Sequence, residues 1–512
     1  MDASRRSRGP ASAPRLARSA SIRTGDEDAS NDEDAALDAR ALAAAVDEDD
    51  GYRSSPMMIT TRILLGVVLQ ALKTVGTALA LGVSIVNCVV PAFAVEWLSR
   101  RAFDVGYVAY TSRVGRWAHL RMIQSLRDEP AHAKAGTPLV AGGGVVVQIP
   151  FMNDNYSYLV VDADTREACA IDPADPERAV DAARRCGAKL TTVLTTHKHH
   201  DHAGGNARVR AMMALEENGS VDVEVYGHAM DKCHGTTREV KDGDVVRVGA
   251  RLRFLVIHVP CHTLGHVVYA LLGDEREDGT DGPTLANAKA MFTGDAIING
   301  GVGAFFHGNA NDCYENLHVR LAPTPDDCLI FSGHEYMETN LRFAKAIDVD
   351  DQITANCFFA IRLHRHQDAG TMPSSLRVER RLNPYFRCRD RDYLKTLLAS
   401  KRRLLNRKKR PWWHRYCGPN KQALEVQRDR KVDTCALADI IDANGRGGHG
   451  EASREEAVEG IRFLRGLMGD VMETSDVRFG DDAENKAFRE YVQIARATGT
   501  THIVVSELVS AA

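Results

Sequence analysis

From Thr196 the chain reads Thr-His-Lys-His-His-Asp-His-Ala-Gly-Gly-Asn, which packs four histidines and an aspartate into positions 197–202. Imidazoles this close gain nothing structurally, because protonation near neutral pH would make them repel one another. Neutral imidazole and carboxylate are, by contrast, good ligands for zinc, iron and manganese. The preceding run, 189–196, is rich in β-branched residues and predicts a buried strand. The glycines after His202 predict a turn into a helix. In extended backbone His197, His199 and Asp201 project to one side, and His202 swings round to join them. That set suits two adjacent cations better than one.

Three later segments place ligand-type residues at expected strand ends. His262 sits in a turn within Val-Pro-Cys-His-Thr-Leu-Gly-His, Asp295 ends Phe-Thr-Gly-Asp, and His334 follows Phe-Ser-Gly. A glycine in each lets the backbone approach the site closely. One strand-end histidine is usually a hydrogen-bonded structural residue. Three such segments in this order, after a His-x-His-x-Asp-His strand end, make a polydentate site.

The elements that must position these residues are short β-branched runs split by turns. Strands are expected at 145–149, 157–161, 167–171, 190–195, 221–226, 245–258, 266–272, 290–293 and 328–331. A helix is expected at 177–186, a surface insertion at 275–289, and mainly helical structure beyond 352. The arrangement is two sheets with helices outside, all sending loops to one edge.

At 512 residues the chain has room for two average domains or one large one with extensions. A net charge of −4 argues against a general nucleic-acid binder. Eleven cysteines without a CxxC pair favour a reducing compartment. Residues 1–60 are expected to form a disordered tail: the Arg- and Ser-rich start has the composition of a transit peptide or of a plain basic tail, and 26–50 is acidic. Within 61–100, residues 74–95 carry no charge and would cross about 30 Å of hydrocarbon as a helix, which predicts a membrane span or embedded hairpin. The arginines from Arg100 onward favour a catalytic side facing the cytosol or an organelle interior, mitochondrion or plastid among them.

From 145 to 387 the sequence resembles the metallo-β-lactamase superfamily and, within it, the glyoxalase II (hydroxyacylglutathione hydrolase) group. Asn383-Pro384-Tyr385-Phe386-Arg387 is similar to that group's Asn-Pro-Phe-x-Arg element. Asp154-Asn155-Tyr156-Ser157-Tyr158-Leu159 and Gly308-Asn309-Ala310 resemble the branch of the hydrolase-like protein of paroxysmal nonkinesigenic dyskinesia. The fold implied is an α+β αββα sandwich at 142–350, with a helical C-terminal extension at 351–512 that carries a basic insertion.

The resemblance implies His197, His199 and His262 on one metal, Asp201, His202 and His334 on the second, and Asp295 bridging the two, most simply as zinc with iron or manganese as alternatives. It implies attack of a metal-bound hydroxide on a thioester, the acyl-glutathione class being the default substrate, with Asp201 and Asp295 in catalytic roles. His200 and Lys198 take the variable positions of the motif and are expected to be exposed. His258 and His266 are expected to stand behind the ligands or to be structural, and Asp172 to organise the turn beneath the site.

Substrate binding departs from the group. The loop that should supply a lysine and a tyrosine reads Gly-Val-Gly-Ala-Phe-Phe-His-Gly from 301, with Ala304 and Phe306 at those positions. A lost charge-assisted contact weakens binding by roughly 1.5–3 kcal/mol. Tyr336 is retained. Arg462 and Arg465 are the nearest match to the group's basic C-terminal pair, and the basic, aromatic run at 401–416 suits an anionic membrane surface. Two other readings compete: a mononuclear iron enzyme like the persulfide dioxygenases, and a weakly active membrane-bound interaction protein.

Overall fold

The computed structural model describes residues 108–110, 112–126, 129–216, 222–273, 283–405 and 450–474. The N-terminal tail, the apolar run at 74–95 and most of the basic run at 401–416 lie outside them. Among the described residues no helix is long and apolar enough to cross a membrane.

Helix α1 (Arg113–Leu126) leads into the first sheet: β1 (Leu139–Ala141), β2 (Gly144–Phe151), β3 (Asn155–Asp162), β4 (Glu167–Ile171), then helix α2 (Pro176–Arg185) and β5 (Lys189–Leu194). The short α3 (His200–Ala203) and α4 (Asn206–Glu216) precede β6 (Glu224–His228) and β7 (Arg238–Val240). These seven strands lie side by side in chain order, antiparallel through β4 and parallel from β4 to β7. The β1–β2 link is a two-residue turn at Gly142 and Gly143, with φ of 54° and 76°, the left-handed pair that a tight hairpin needs.

The second sheet is built from β8 (Val245–Val248), β9 (Leu252–His258), β10 (Val267–Leu272), β11 (Ala288–Gly294), β12 (Leu329–Ser332) and β13 (Ser374–Ser375). Its order is β13-β12-β11-β10-β9-β8. The single strand expected at 245–258 is a hairpin, because Gly249 (φ 61°) turns the chain back and Val248 pairs with Leu252. Apolar alternation looks the same on both arms, so periodicity alone does not reveal the reversal. The helices of this side are α5 (Ala310–Glu315), α6 (Met337–Ile347), α7 (Gln352–Arg365), α8 (Leu376–Leu382), α9 (Pro384–Arg387), α10 (Arg391–Leu405) and α11 (Arg454–Thr474).

Alternating side chains on each strand sort into different layers. Val146, Tyr158 and Val160 meet Phe254, Tyr269 and Phe292 between the sheets. Val145, Val147, Leu159 and Val161 face Ala179, Val180 and Val209 of α2 and α4. On the far side Val268, Ala270 and Met291 share a core with Leu394, Leu397, Ile461 and Leu464 of α10 and α11. Strands buried on both faces read as continuous apolar runs, which is why β2 and β10 look alike in sequence. The result is helix, sheet, sheet, helix, with β13 drawing the C-terminal region into the second sheet.

Candidate metal centre

The site lies where β4, β5, β11 and β12 end. Asp172, just past β4, sits at φ 50° and is buried. Its Oδ1 accepts the Thr196 N–H (2.8 Å), and its Oδ2 accepts the Thr196 hydroxyl (2.6 Å) and His202 Nδ1–H (2.9 Å). One carboxylate thus fixes the loop after β5 and leaves His202 Nε2 facing the centre. Carboxylate support behind a ligating imidazole sets both its tautomer and its orientation.

His197 Nδ1 lies 3.1 Å from Thr196 Oγ1, and His262 Nδ1 lies 2.9 Å from the Ala304 carbonyl oxygen. Since the Thr196 hydroxyl is already donating to Asp172, both Nδ1 atoms carry the proton, which leaves lone pairs on His197 Nε2 and His262 Nε2. These stand 3.0 and 2.9 Å from His199 Nδ1. One ring proton cannot satisfy both contacts, so lone pairs face each other at close range. A shared cation resolves this: nitrogens 2.0–2.1 Å from a tetrahedral zinc would stand roughly 3.3 Å apart.

The second group is Asp201, His202 and His334. Asp201 Oδ2 lies 3.9 Å from His202 Nε2 and 3.6 Å from His334 Nε2. His334 Nδ1 is held by Asp154 Oδ1 at 3.0 Å, which turns Nε2 inward. Asp295 stands between the groups: Oδ2 is 3.4 Å from both His262 Nε2 and His334 Nε2, and Oδ1 is 3.4 Å from His202 Nε2. His202 Nε2 and Asp295 Oδ1 are buried without a hydrogen-bond partner. Orphaned buried atoms on a carboxylate and an imidazole, converging on one point, fit a divalent cation. Asp172, His197 and His202 also cluster, but both Asp172 oxygens are already taken, which leaves Asp172 behind His202.

Electrostatics divides the histidines. Burial, together with the neighbouring imidazoles, holds His197 and His199 well below the ordinary histidine range, the neutral state that ligation requires. Burial opposes charge on His202 too, but Asp295, Asp201 and Asp172 push it up to about 9. Glycine permits the close approach at Gly333, where a Cβ would come 2.5 Å from His202 Cε1 and 2.7 Å from Asp295 Oδ1.

Some expectations change. Asp201 belongs to the short helix α3, with His199 as its N-cap, so it reaches the centre from a helical turn and not from extended backbone. His200, expected to be exposed, is buried beneath α1: its ring lies 6.2 Å from His119 and 5.2 Å from Tyr110. His266 is buried, accepts the Asp295 N–H at 3.2 Å and stacks on His197. His258 stacks on His228 at 4.3 Å and bonds to the Leu264 carbonyl.

Of the substrate candidates, Phe306 stands edge-on to His199 and His262 with centroids 5.3 and 5.1 Å away, and Tyr336 stacks on His334 at 5.0 Å. Arg465 lies one layer out, buried, with its guanidinium 4.8 Å over the Phe305 ring. Arg462 pairs with Glu459 on its own helix.

Sequence reasoning missed five contributors, the Asp154 behind His334 among them. Asp231 accepts from Lys198 N, Thr263 Oγ1 and Gly265 N, tying the His197–His199 loop to the His262 loop. Asn155 donates to Asp201 Oδ2 at 3.3 Å and Tyr110 donates to Asp201 Oδ1 at 3.0 Å. Glu379 accepts from Gly300 N, Ser374 Oγ and Asn383 Nδ2, holding the base of the loop that carries Phe306. Only Asp154 and Asn155 had a signal, their place in the Asp-Asn-Tyr-Ser-Tyr-Leu run.

Residues 335–410 match the family described as hydroxyacylglutathione hydrolase C-terminus. The chain is 37% identical over 242 residues to the cytoplasmic hydroxyacylglutathione hydrolase of Arabidopsis thaliana, covering 47% of this chain and 87% of that one. It is 34% identical over 239 residues to the hydroxyacylglutathione hydrolase of Dictyostelium discoideum, covering 46% and 83%. Among solved structures, that of ETHE1 from Myxococcus xanthus is 27% identical and aligns over 50% of this chain and 88% of that one, at a TM-score of 0.32. The chain belongs to the hydroxyacylglutathione hydrolase family, the glyoxalase II group of the metallo-β-lactamase superfamily.

Proposed function

We propose that this protein is a binuclear metallohydrolase that cleaves a thioester, with a hydroxyacylglutathione such as lactoylglutathione as substrate. The observation that carries the reading is the Asp295 carboxylate, within 3.4 Å of an imidazole nitrogen from each ligand group. His197, His199 and His262 would hold one cation, Asp201, His202 and His334 the other, and Asp295 would touch both. Two divalent cations bound there would supply a water acidified to near-neutral pKa and a Lewis acid for the carbonyl oxygen.

The chain's own residues do the rest. Asp201 Oδ2 faces the second group from the rim, placed to hold the second cation and so to orient the attacking water beside it. The leaving thiolate needs no acid, so the site works without a protein nucleophile or a protonating side chain. Phe306 and Tyr336 wall the centre on two sides and limit water around it. No lysine or arginine occurs in residues 301–308 to meet a glutathione carboxylate, which weakens capture of such a substrate. The intact second group disfavours a mononuclear iron enzyme. Membrane attachment rests on the uncharged run at 74–95, and the first described residues after it include exposed Val108, Val114 and Trp117.

The test is metal analysis and a thioester panel on the same purified full-length sample. Two cations per chain with hydrolysis of lactoylglutathione is the expected result. One iron per chain with oxygen consumption and no thioester cleavage would overturn it.

A further inference from the structure

The segment ahead of the sheets touches the centre, and nothing in the proposed hydrolysis uses it. We infer that Tyr110 is a positioning residue for the second cation site, acting through Asp201. The Tyr110 hydroxyl donates to Asp201 Oδ1 at 3.0 Å, while Oδ2 of the same carboxylate faces His202 and His334. A carboxylate with one oxygen held from behind presents the other as a fixed single ligand. Without that hold it rotates, and a flexible carboxylate loses affinity for its cation. Asn155 steadies the inward oxygen at 3.3 Å, but only Tyr110 is seen to hold the outward one among the described residues.

The segment is docked at several points. Ile123 of α1 packs with Phe151 and Ala174 in a small buried cluster. His119, also buried, packs on His200, one residue before Asp201. Ser112 Oγ accepts the Gly115 N–H and donates to the Ala109 carbonyl, which ties the residue before Tyr110 to the start of α1. The Tyr110 ring stands 6.3 Å from His199 and 5.2 Å from His200, and about a third of it (36%) is exposed. The ring thus lies beside His199, and Phe306 meets the same imidazole edge-on. Residues well before the catalytic sheets therefore belong to the site.

The inference rests on the two-cation reading, and the experiment separates the two. Full-length wild type and Tyr110→Phe, which removes the hydroxyl and keeps the ring, are stripped and titrated with cobalt(II) against a competing chelator. Visible absorption follows each cation, and melting of the metal-free proteins checks the fold. The expected result is a 10–100-fold weaker second cation in Tyr110→Phe, with the first cation and metal-free melting unchanged. Tyr110→Ala should show the same loss. Equal affinity for the second cation in wild type and Tyr110→Phe would overturn the role of Tyr110 and leave the binuclear reading standing. A wild type that takes up only one cation would overturn both.

Discussion

The two ligand groups, separated only by Asp295, are built on opposite plans. The first is three imidazoles, crowded to 2.9–3.0 Å, with the supporting contacts made by a hydroxyl and a backbone carbonyl. The second mixes a carboxylate with two imidazoles spaced at 3.6–3.9 Å, and carboxylates stand behind both histidines. Without a cation the second group neutralises itself as ion pairs, whereas the first has opposed lone pairs and no carboxylate beyond the shared Asp295. The first is therefore preorganised for a cation by geometry, and the second by charge and by residues reached from far along the chain. Tyr110 and Asp154 serve the second group and Asp231 the first, while Asp172 holds His202 directly and His197 through Thr196.

The comparison breaks most visibly at the residue both groups share. Asp295→Ala should lower thioester hydrolysis by on the order of 10³-fold, since it removes the carboxylate that aligns both sites. Metal analysis of the variant should find fewer than two cations. Full metal content with near-normal turnover would mean that Asp295 joins nothing.

The next test separates the groups. Asp154→Ala removes the support behind His334 and should weaken the second cation about 10–100-fold, leaving the first in place. Asp231→Ala frees the loops bearing His197, His199 and His262, and should weaken the first cation by a similar factor while sparing the second. Competitive chelation reads both. If each variant weakened the two cations equally, the two groups would be one coupled unit.

A smaller effect tests the loop that leans on the first group. Ala304→Lys with Phe306→Tyr restores a cation and a hydroxyl beside His262. A recovered contact of roughly 1.5–3 kcal/mol lowers KM for lactoylglutathione at least about tenfold with little change in kcat. An unchanged KM would show that the loop does not meet the glutathione carboxylate.

What could be read from sequence follows the same division. All seven ligand candidates converge, because ligand chemistry concentrates in short motifs at strand ends, and Asp172 was legible for the same reason. The supports were not. Tyr110 lies 91 residues from Asp201, and Asp154 lies 180 from His334, so nothing local marks either pairing. His200 sits in a motif position that implies exposure, and only the tertiary packing of α1 buries it. The hairpin within 245–258 failed for a different reason: both arms are buried and apolar, and a single glycine carries the turn.

Glu379 offers the mildest test, on a carboxyl that touches neither group yet holds the loop behind the first. It accepts from Gly300 N at 2.9 Å, Ser374 Oγ at 2.8 Å and Asn383 Nδ2 at 2.9 Å, and Asn383 in turn donates to the Gly301 carbonyl. Burial pushes its carboxyl up from 4.5 to about 6, against the pull of those three donors. A carboxyl whose folded pKa is raised is favoured when protonated. Its contribution is complete below about pH 4.5 and disappears as pH rises through about 6, a loss of about 2 kcal/mol. Glu379→Gln cannot ionise and keeps the shape, with the Ser374 hydroxyl free to reverse its bond. Compared with wild type, its relative stability should rise by about 2 kcal/mol between pH 4.5 and 7, measured by denaturant melts of the metal-free proteins, where the histidine titrations common to both cancel. A pH-independent difference would place the Glu379 charge outside the energetics of the loop.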